Sequence, residues 1–145
     1  MYKNILIPTD GSALSDKAIR HGIALAKALG AKITAVTVTQ PFHWFSIDRK
    51  MVTDMPVEYE KHARQRAEKI LDAVSKAARA ANVDCNTVHI EQEHPYDAII
   101  KTAGSQGCDL IVMASHGRRG VSALVLGGET VKVLTHTKIP VLVYR

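Results

Sequence analysis

The chain has 145 residues, 46% of them hydrophobic and 23% charged, with a formal net charge of +5 and a sequence pI near 9.3. This fits one globular domain with a sizeable core. It excludes a disulfide scaffold or zinc ribbon, because the two cysteines, Cys85 and Cys108, have no paired spacing. No apolar stretch approaches the ~20 residues needed to span a bilayer, and the amino terminus lacks the apolar region of a signal peptide, so a cytoplasmic location and no membrane partner are expected. The basic excess suits anionic partners such as nucleotides but is also common on plain soluble surfaces, and it gives nucleic acid little weight as a partner.

"NILIP" (Asn4–Pro8) is a short apolar run closed by the turn signal "TDGS", which predicts a buried strand. Ser12 stands where a helix N-cap is needed. Leu14, Ala18, Gly22, Leu25 and Leu29 follow at helical spacing, and Gly30 is placed to end the helix. Residues 32–39, "KITAVTVT", are rich in β-branched side chains and predict a second strand. Residues 40–56 read as a long loop. It holds both phenylalanines, Phe42 and Phe45, and the only tryptophan, Trp44. These aromatics either cover a ligand pocket or fold onto the next helix as a satellite core.

A helix is predicted over 57–81, with Tyr59, Ala63, Ala67, Ile70, Val74 and Ala78 as its apolar stripe. Lys61, Arg64, Lys69, Lys76 and Arg79 read as its solvated face. A more polar strand over 85–92 is expected at a sheet edge, where charge discourages further pairing. A short helix over 95–107 follows, with Pro95 in its first turn and Gly104 or Gly107 at its end. A buried strand over 109–115, a glycine-rich loop, a helix over 127–135 and a last strand over 138–145 complete the chain.

Strands alternating with helices predict a parallel sheet covered by helices on both faces. In such sheets ligands bind beyond the carboxyl ends of the strands, where strand order reverses. The loops "PTDGS" and "MASHGRRG" leave the first and fourth strands, and they share one crevice if those strands are neighbours. A phosphate cradle needs inward backbone N–H groups and a helix N-terminus. Gly117 and Gly120 can form its first turn, Gly127 and Gly128 its second, and Arg118 and Arg119 can add positive charge. Glycines alone do not decide this, since glycine-rich turns are common.

The spacing adds information. "MASHGRRGVSALVLGG" resembles the nucleotide motif G-x2-G-x9-G-(S/T) of the universal stress protein family, with Ala114, Gly117 and Gly127 at the glycine positions and Gly128 at the hydroxyl position. "ILIPTDGS" and "TVKVLTHTKIPVLVYR" extend the resemblance to both ends of the chain, while residues 40–84 match by pattern only. The resemblance implies a single-domain, Rossmann-like α/β open sandwich over residues 1–145, with a five-stranded parallel sheet in the order 3-2-1-4-5. It implies an adenine nucleotide, ATP above all and otherwise ADP or AMP, bound with Mg²⁺ or another divalent ion in a stress-related regulatory role. Any catalysis is expected to be slow ATP hydrolysis. The implied site comprises Pro8, Thr9, Asp10 and Val38 from the first half. From the second half it takes Met113, Ala114, His116, Gly117, Arg118, Gly120, Gly127, Gly128, Glu129 and Thr130. A homodimer is implied through Pro140, Val141, Leu142, Val143 and Tyr144, paired antiparallel across a two-fold axis.

Several of these residues have an ordinary alternative. Asp10 either reaches a ribose hydroxyl or a metal, or caps the first helix. Val38 is either a wall for adenine or sheet core. His116 either donates to phosphate or holds its loop by a backbone hydrogen bond. Glu129 is either a base for hydrolysis or a carboxylate favoured by a helix dipole. Ala114 adds a methyl to the motif. Gly128 removes a hydroxyl whose hydrogen bond to a charged group is worth about 1.5–3 kcal/mol, roughly tenfold to a hundredfold in affinity. Thr130 is the candidate to supply that hydroxyl instead.

"TDGSAL" is not G-x-S-x-G, so a triad of Ser12, Asp10 and His116 is set aside. His89 and His94 fall on opposite strand faces, which argues against a dedicated zinc site. Two rival functions remain: a family member without nucleotide binding that acts as a dimeric protein-interaction module, and an adenylyl-transfer enzyme of the wider nucleotide hydrolase-like group.

Overall fold

The computed structural model of the chain describes residues 1–42, 55–117 and 125–145. Its centre is β1 (Asn4–Pro8), whose Ile5, Leu6 and Ile7 are fully buried. A strand apolar on both faces belongs in the middle of a parallel sheet covered on both sides. The remaining elements are α1 (Ala13–Leu29), β2 (Lys32–Thr39), α2 (Met55–Ala80), β3 (Cys85–Glu91), α3 (Pro95–Ser105), β4 (Leu110–Ala114), α4 (Gly128–His136) and β5 (Val141–Tyr144). All strand pairs are parallel, and the order is β3-β2-β1-β4-β5. β3 lies at an edge, as its polarity predicts.

Side chains along β1 alternate between two cores. Ile5 and Ile7 pack with Ile19 and Ile23 of α1 and with Leu71 and Val74 of α2. Leu6 packs on the other face with Ile99 of α3, Val133 of α4, and Ile111 and Met113 of β4. The predicted caps of α1 are in place. Ser12 accepts a hydrogen bond from the Ser15 N–H at 3.2 Å, and Gly30 adopts φ 67°, where glycine carries no side-chain penalty.

Some boundaries differ from the sequence reading. α2 begins at Met55 rather than 57, because Pro56 suits a first helical turn that needs no N–H partner. α3 ends at Ser105, and Gly107, with φ 66°, takes the left-handed turn that Gly104 was also a candidate for. β5 is confined to Val141–Tyr144, since Pro140 has no N–H for the ladder and Ile139 N–H is held by the Thr137 hydroxyl. Of the aromatic loop, Phe42 meets Tyr59 of α2 edge-on at 5.4 Å; Trp44 and Phe45 lie outside the described residues.

Two features position the site. First, α2 has 26 residues, about 39 Å at ~1.5 Å per residue, which exceeds any strand here. Its buried residues begin only at Ala67, so its first turns overhang the carboxyl edge of the sheet. Second, the opposite edge is tied down by polar groups. The Asp109 carboxylate accepts from the N–H groups of Lys3 (2.9 and 3.1 Å) and Asn4 (3.1 Å). Buried Asn4 donates from Nδ2 to the Gln106 carbonyl and accepts from the Thr34 hydroxyl.

Partial burial opposes the charge on Asp109, but the N–H groups of Asn4 and Lys3 outweigh it and hold the carboxyl below its usual value. The unfolded chain therefore takes up this proton more readily than the folded one. The stabilisation is complete above the ordinary carboxylate range and is lost as pH falls through the lowered folded value. Asp109→Asn is expected to lower urea stability near neutral pH and to reduce the further loss between neutrality and about pH 3. An unchanged pH profile in the variant contradicts this role.

Candidate functional site

At the carboxyl edge, β1 has β2 on one side and β4 on the other, so the loops leaving β1 and β4 diverge around a crevice. The crevice has a volume of about 490 Å³, within the size range of small-molecule sites. Every described residue of the predicted site lines it. Pro8, Thr9 and Asp10 come from the end of β1, Val38 from β2, and Met113, Ala114, His116 and Gly117 from β4 and its loop. Gly127, Gly128, Glu129 and Thr130 come from the start of α4. Arg118 and Gly120 lie outside the described residues, as does Arg119.

The first loop is built by its own side chains. Thr9 N–H donates to the Val36 carbonyl at 2.9 Å, and its hydroxyl lies 3.1 Å from that of Ser15. The Ser12 N–H donates to Asp10 Oδ1 at 2.9 Å, and Gly11 turns the chain with φ 77°. Ser12, not Asp10, therefore caps α1, and Asp10 instead fastens the turn before it. The other carboxylate oxygen faces the β4 loop: a Cβ on Gly117 would overlap Asp10 Oδ2. The glycine at 117 lets the two loops approach this closely.

The second loop is clamped where it begins and ends. Gly127 N–H donates to the Ser115 carbonyl at 2.7 Å, and the Thr130 hydroxyl donates to the Ala114 carbonyl at 3.0 Å. Thr130 is 2% exposed. This corrects the expectation that Thr130 replaces the missing hydroxyl at 128, because its proton is already given to β4. Of the two readings of His116, the backbone bond is replaced by a side-chain one, with Nδ1 3.2 Å from the Ser115 hydroxyl, and the residue lines the crevice. Ser12 and His116 thus serve separate bonds and form no relay. Ala114 is accommodated, since Asn82 is the only non-glycine with positive φ among the described residues.

The amino-terminus of α4 opens on the crevice. Gly127 is its N-cap and supplies no side-chain hydrogen bond, so the first-turn N–H groups keep their electropositive character toward the cavity. Glu129 does not point its carboxylate at those groups. Its Oε2 accepts from Tyr96 N–H in the first turn of α3 at 2.8 Å, and its Oε1 lies 3.7 Å from Lys132 Nζ. The N-cap of α3, His94, makes no side-chain bond of its own, so Glu129 takes over that task. Val38 lines the crevice and also packs on the second core.

The sequence reading missed the outer wall. Tyr59, Ala63, Arg66 and Ile70 of α2, with Thr39 at the end of β2, Gln40 just after it, and Pro95 and Ile99 of α3, also line the crevice. The Tyr59 hydroxyl donates to the Gln40 carbonyl at 3.1 Å and anchors the overhanging part of α2. The signal was present in the apolar stripe of α2, but periodicity does not distinguish a stripe facing a crevice from one facing a core.

The geometry is that of a doubly wound α/β protein with an anion-suited crevice at the reversal of strand order. The universal stress protein family matches residues 1–145, and the chain belongs to that family. A universal stress protein of Methanocaldococcus jannaschii, MJ0531, is 32% identical over 145 residues, spanning 100% of this chain and 83% of its own. The solved structure of MJ0577 from the same organism superposes with a TM-score of 0.83 at 26% identity, covering 99% of this chain and 96% of that one. A universal stress protein solved in complex with cAMP is 25% identical, with a TM-score of 0.72 and coverages of 99% and 97%.

The two glycines at the start of α4 behave differently in space. A Cβ on Gly127 would lie 3.1 Å from His116 Cα and 3.2 Å from the Ser115 carbonyl oxygen, whereas a Cβ on Gly128 meets nothing within 4 Å. Gly127→Ala is expected to cost about 1–3 kcal/mol through backbone crowding. Gly128→Ala should be neutral or stabilising by up to about 1 kcal/mol. Chemical denaturation of the two variants checks this, and equal losses contradict it.

Proposed function

We propose that the crevice binds an adenine nucleotide, ATP above all, and that the protein serves a regulatory, stress-related role in the cytoplasm. The observation that carries this reading is the convergence of every described motif residue on one cavity, at whose wall an α-helix opens without a side-chain cap. A relative that binds cAMP supports the nucleotide class. In this reading phosphate sits on the first-turn backbone N–H groups of α4 from Gly128 onward, Gly127 N–H being held by the Ser115 carbonyl, while Asp10 meets the ribose and Val38 with the α2 wall encloses the base. Arg118 and Gly120 remain assigned to the phosphate side.

Among the described residues no group of three His, Cys, Asp or Glu is placed to hold a metal ion. A divalent ion therefore fits as one carried in by the phosphates, with Asp10 and Glu129 as the carboxylates that line the same cavity. Such an ion would screen phosphate charge.

The missing hydroxyl at 128 gives the direct test. Gly128 has open space beside it and begins a helix, where serine is tolerated. Gly128→Ser is expected to tighten ATP about tenfold by adding a hydrogen bond to a charged group, read by titration calorimetry. No gain, or no binding by either protein at millimolar ATP, contradicts the assignment.

The homodimer through β5 also belongs to this proposal. Leu142, Val131 and Leu134 are 48%, 45% and 41% exposed, and β5 is an edge strand, whose unpaired backbone favours pairing with a second copy. These exposed side chains equally favour the second reading, a dimeric interaction module without nucleotide. Val143→Asp is expected to give monomers in analytical ultracentrifugation where the unaltered chain is dimeric; a monomeric unaltered chain refutes the interface.

A further inference from the structure

Two helix amino-termini meet at this crevice, and they are treated differently. That of α4 has a glycine N-cap and no side-chain partner. That of α3 already holds an anion, the Glu129 carboxylate, at 2.8 Å from Tyr96 N–H. Glu129 and Pro95 both line the cavity, so this occupied terminus is part of the same wall. A phosphate on the first turn of α4 therefore has a built-in carboxylate on the same wall of the cavity, bound to the α3 terminus.

We propose that Glu129 is a specificity-determining residue that counts phosphates. A nucleoside monophosphate takes the α4 terminus without needing the α3 terminus. A metal-free triphosphate must place further negative charge beside Glu129, and like charges at close range oppose binding. A divalent ion on the phosphates cancels that penalty. The inference rests on the nucleotide reading above and adds to it the basis for choosing among adenine nucleotides.

The surroundings hold the carboxylate in place. Lys132, on the same helix, lies 3.7 Å from Glu129 Oε1 and 5.6 Å above the Tyr96 ring, and so offsets part of its charge. The Tyr96 ring is flanked by His94 and by His136, with centroids 6.2 and 5.1 Å away. Glu129→Gln keeps an acceptor for Tyr96 N–H while removing the charge. Lys132→Gln removes the offsetting cation and leaves the carboxylate.

The experiment is calorimetric titration of the full chain with AMP and with ATP, each in chelator and in excess Mg²⁺. In chelator, the unaltered protein should prefer AMP. Glu129→Gln should tighten metal-free ATP roughly tenfold and AMP less than threefold. Lys132→Gln should widen the preference for AMP. In the unaltered protein Mg²⁺ should reverse the preference to ATP, and in Glu129→Gln it should add little. Equal changes for AMP and ATP in Glu129→Gln, or a narrower gap in Lys132→Gln, overturn the inference and leave the nucleotide reading intact. Failure of every protein to bind either nucleotide at millimolar concentration overturns both.

Discussion

The burial of β1 on both faces is the constraint from which the site follows. Ile5 and Ile7 need one layer of helices and Leu6 needs another. The chain meets this by laying α1 and α2 on one face and α3 and α4 on the other. Strand order then has to reverse beside β1, with β2 on one flank and β4 on the other. The diverging loops leave a crevice that no core side chain fills, so the candidate site results from the same packing that makes the core.

Within that crevice the motif glycines have distinct physical tasks. Gly117 lets the β4 loop come against the Asp10 carboxylate, and Gly127 lets the start of α4 press on the backbone of Ser115 and His116. Both serve the fold whether or not a ligand is bound. Gly128 has no such task, since nothing lies within 4 Å of where its Cβ would be. Its missing hydroxyl is thus not a requirement of packing. Thr130 does not make it good, because its hydroxyl joins α4 to β4 through the Ala114 carbonyl.

Much of this was legible in the residues themselves. Alternating strand and helix patterns, the Ser12 cap and Gly30 sufficed for the layers, whereas residues as distant as Thr9 and Thr130 were gathered into one site by the family resemblance. The strand order and the ligand class came from family resemblance rather than from periodicity. Other parts were illegible for physical reasons. The stripe of Tyr59, Ala63 and Ile70 looks the same from sequence whether it faces a core or a cavity. The bond from Tyr96 N–H to Glu129 joins two helices through a side chain, and no local spacing encodes it. Asp10 and Ser12 are both good caps, and only the geometry shows that Ser12 caps the helix while Asp10 holds the turn.

In the proposed reading, binding energy comes from preformed backbone donors and an enclosed base rather than from one charged residue. The most direct measurement is a backbone amide NMR titration of the full chain with Mg²⁺ and ATP. The account predicts saturating shifts concentrated at Asp10, Val38, Gly117, Gly127 and Gly128, with β3 and the outer face of α1 unmoved. Absence of shifts at millimolar nucleotide, or shifts confined to the β5 edge, would contradict it.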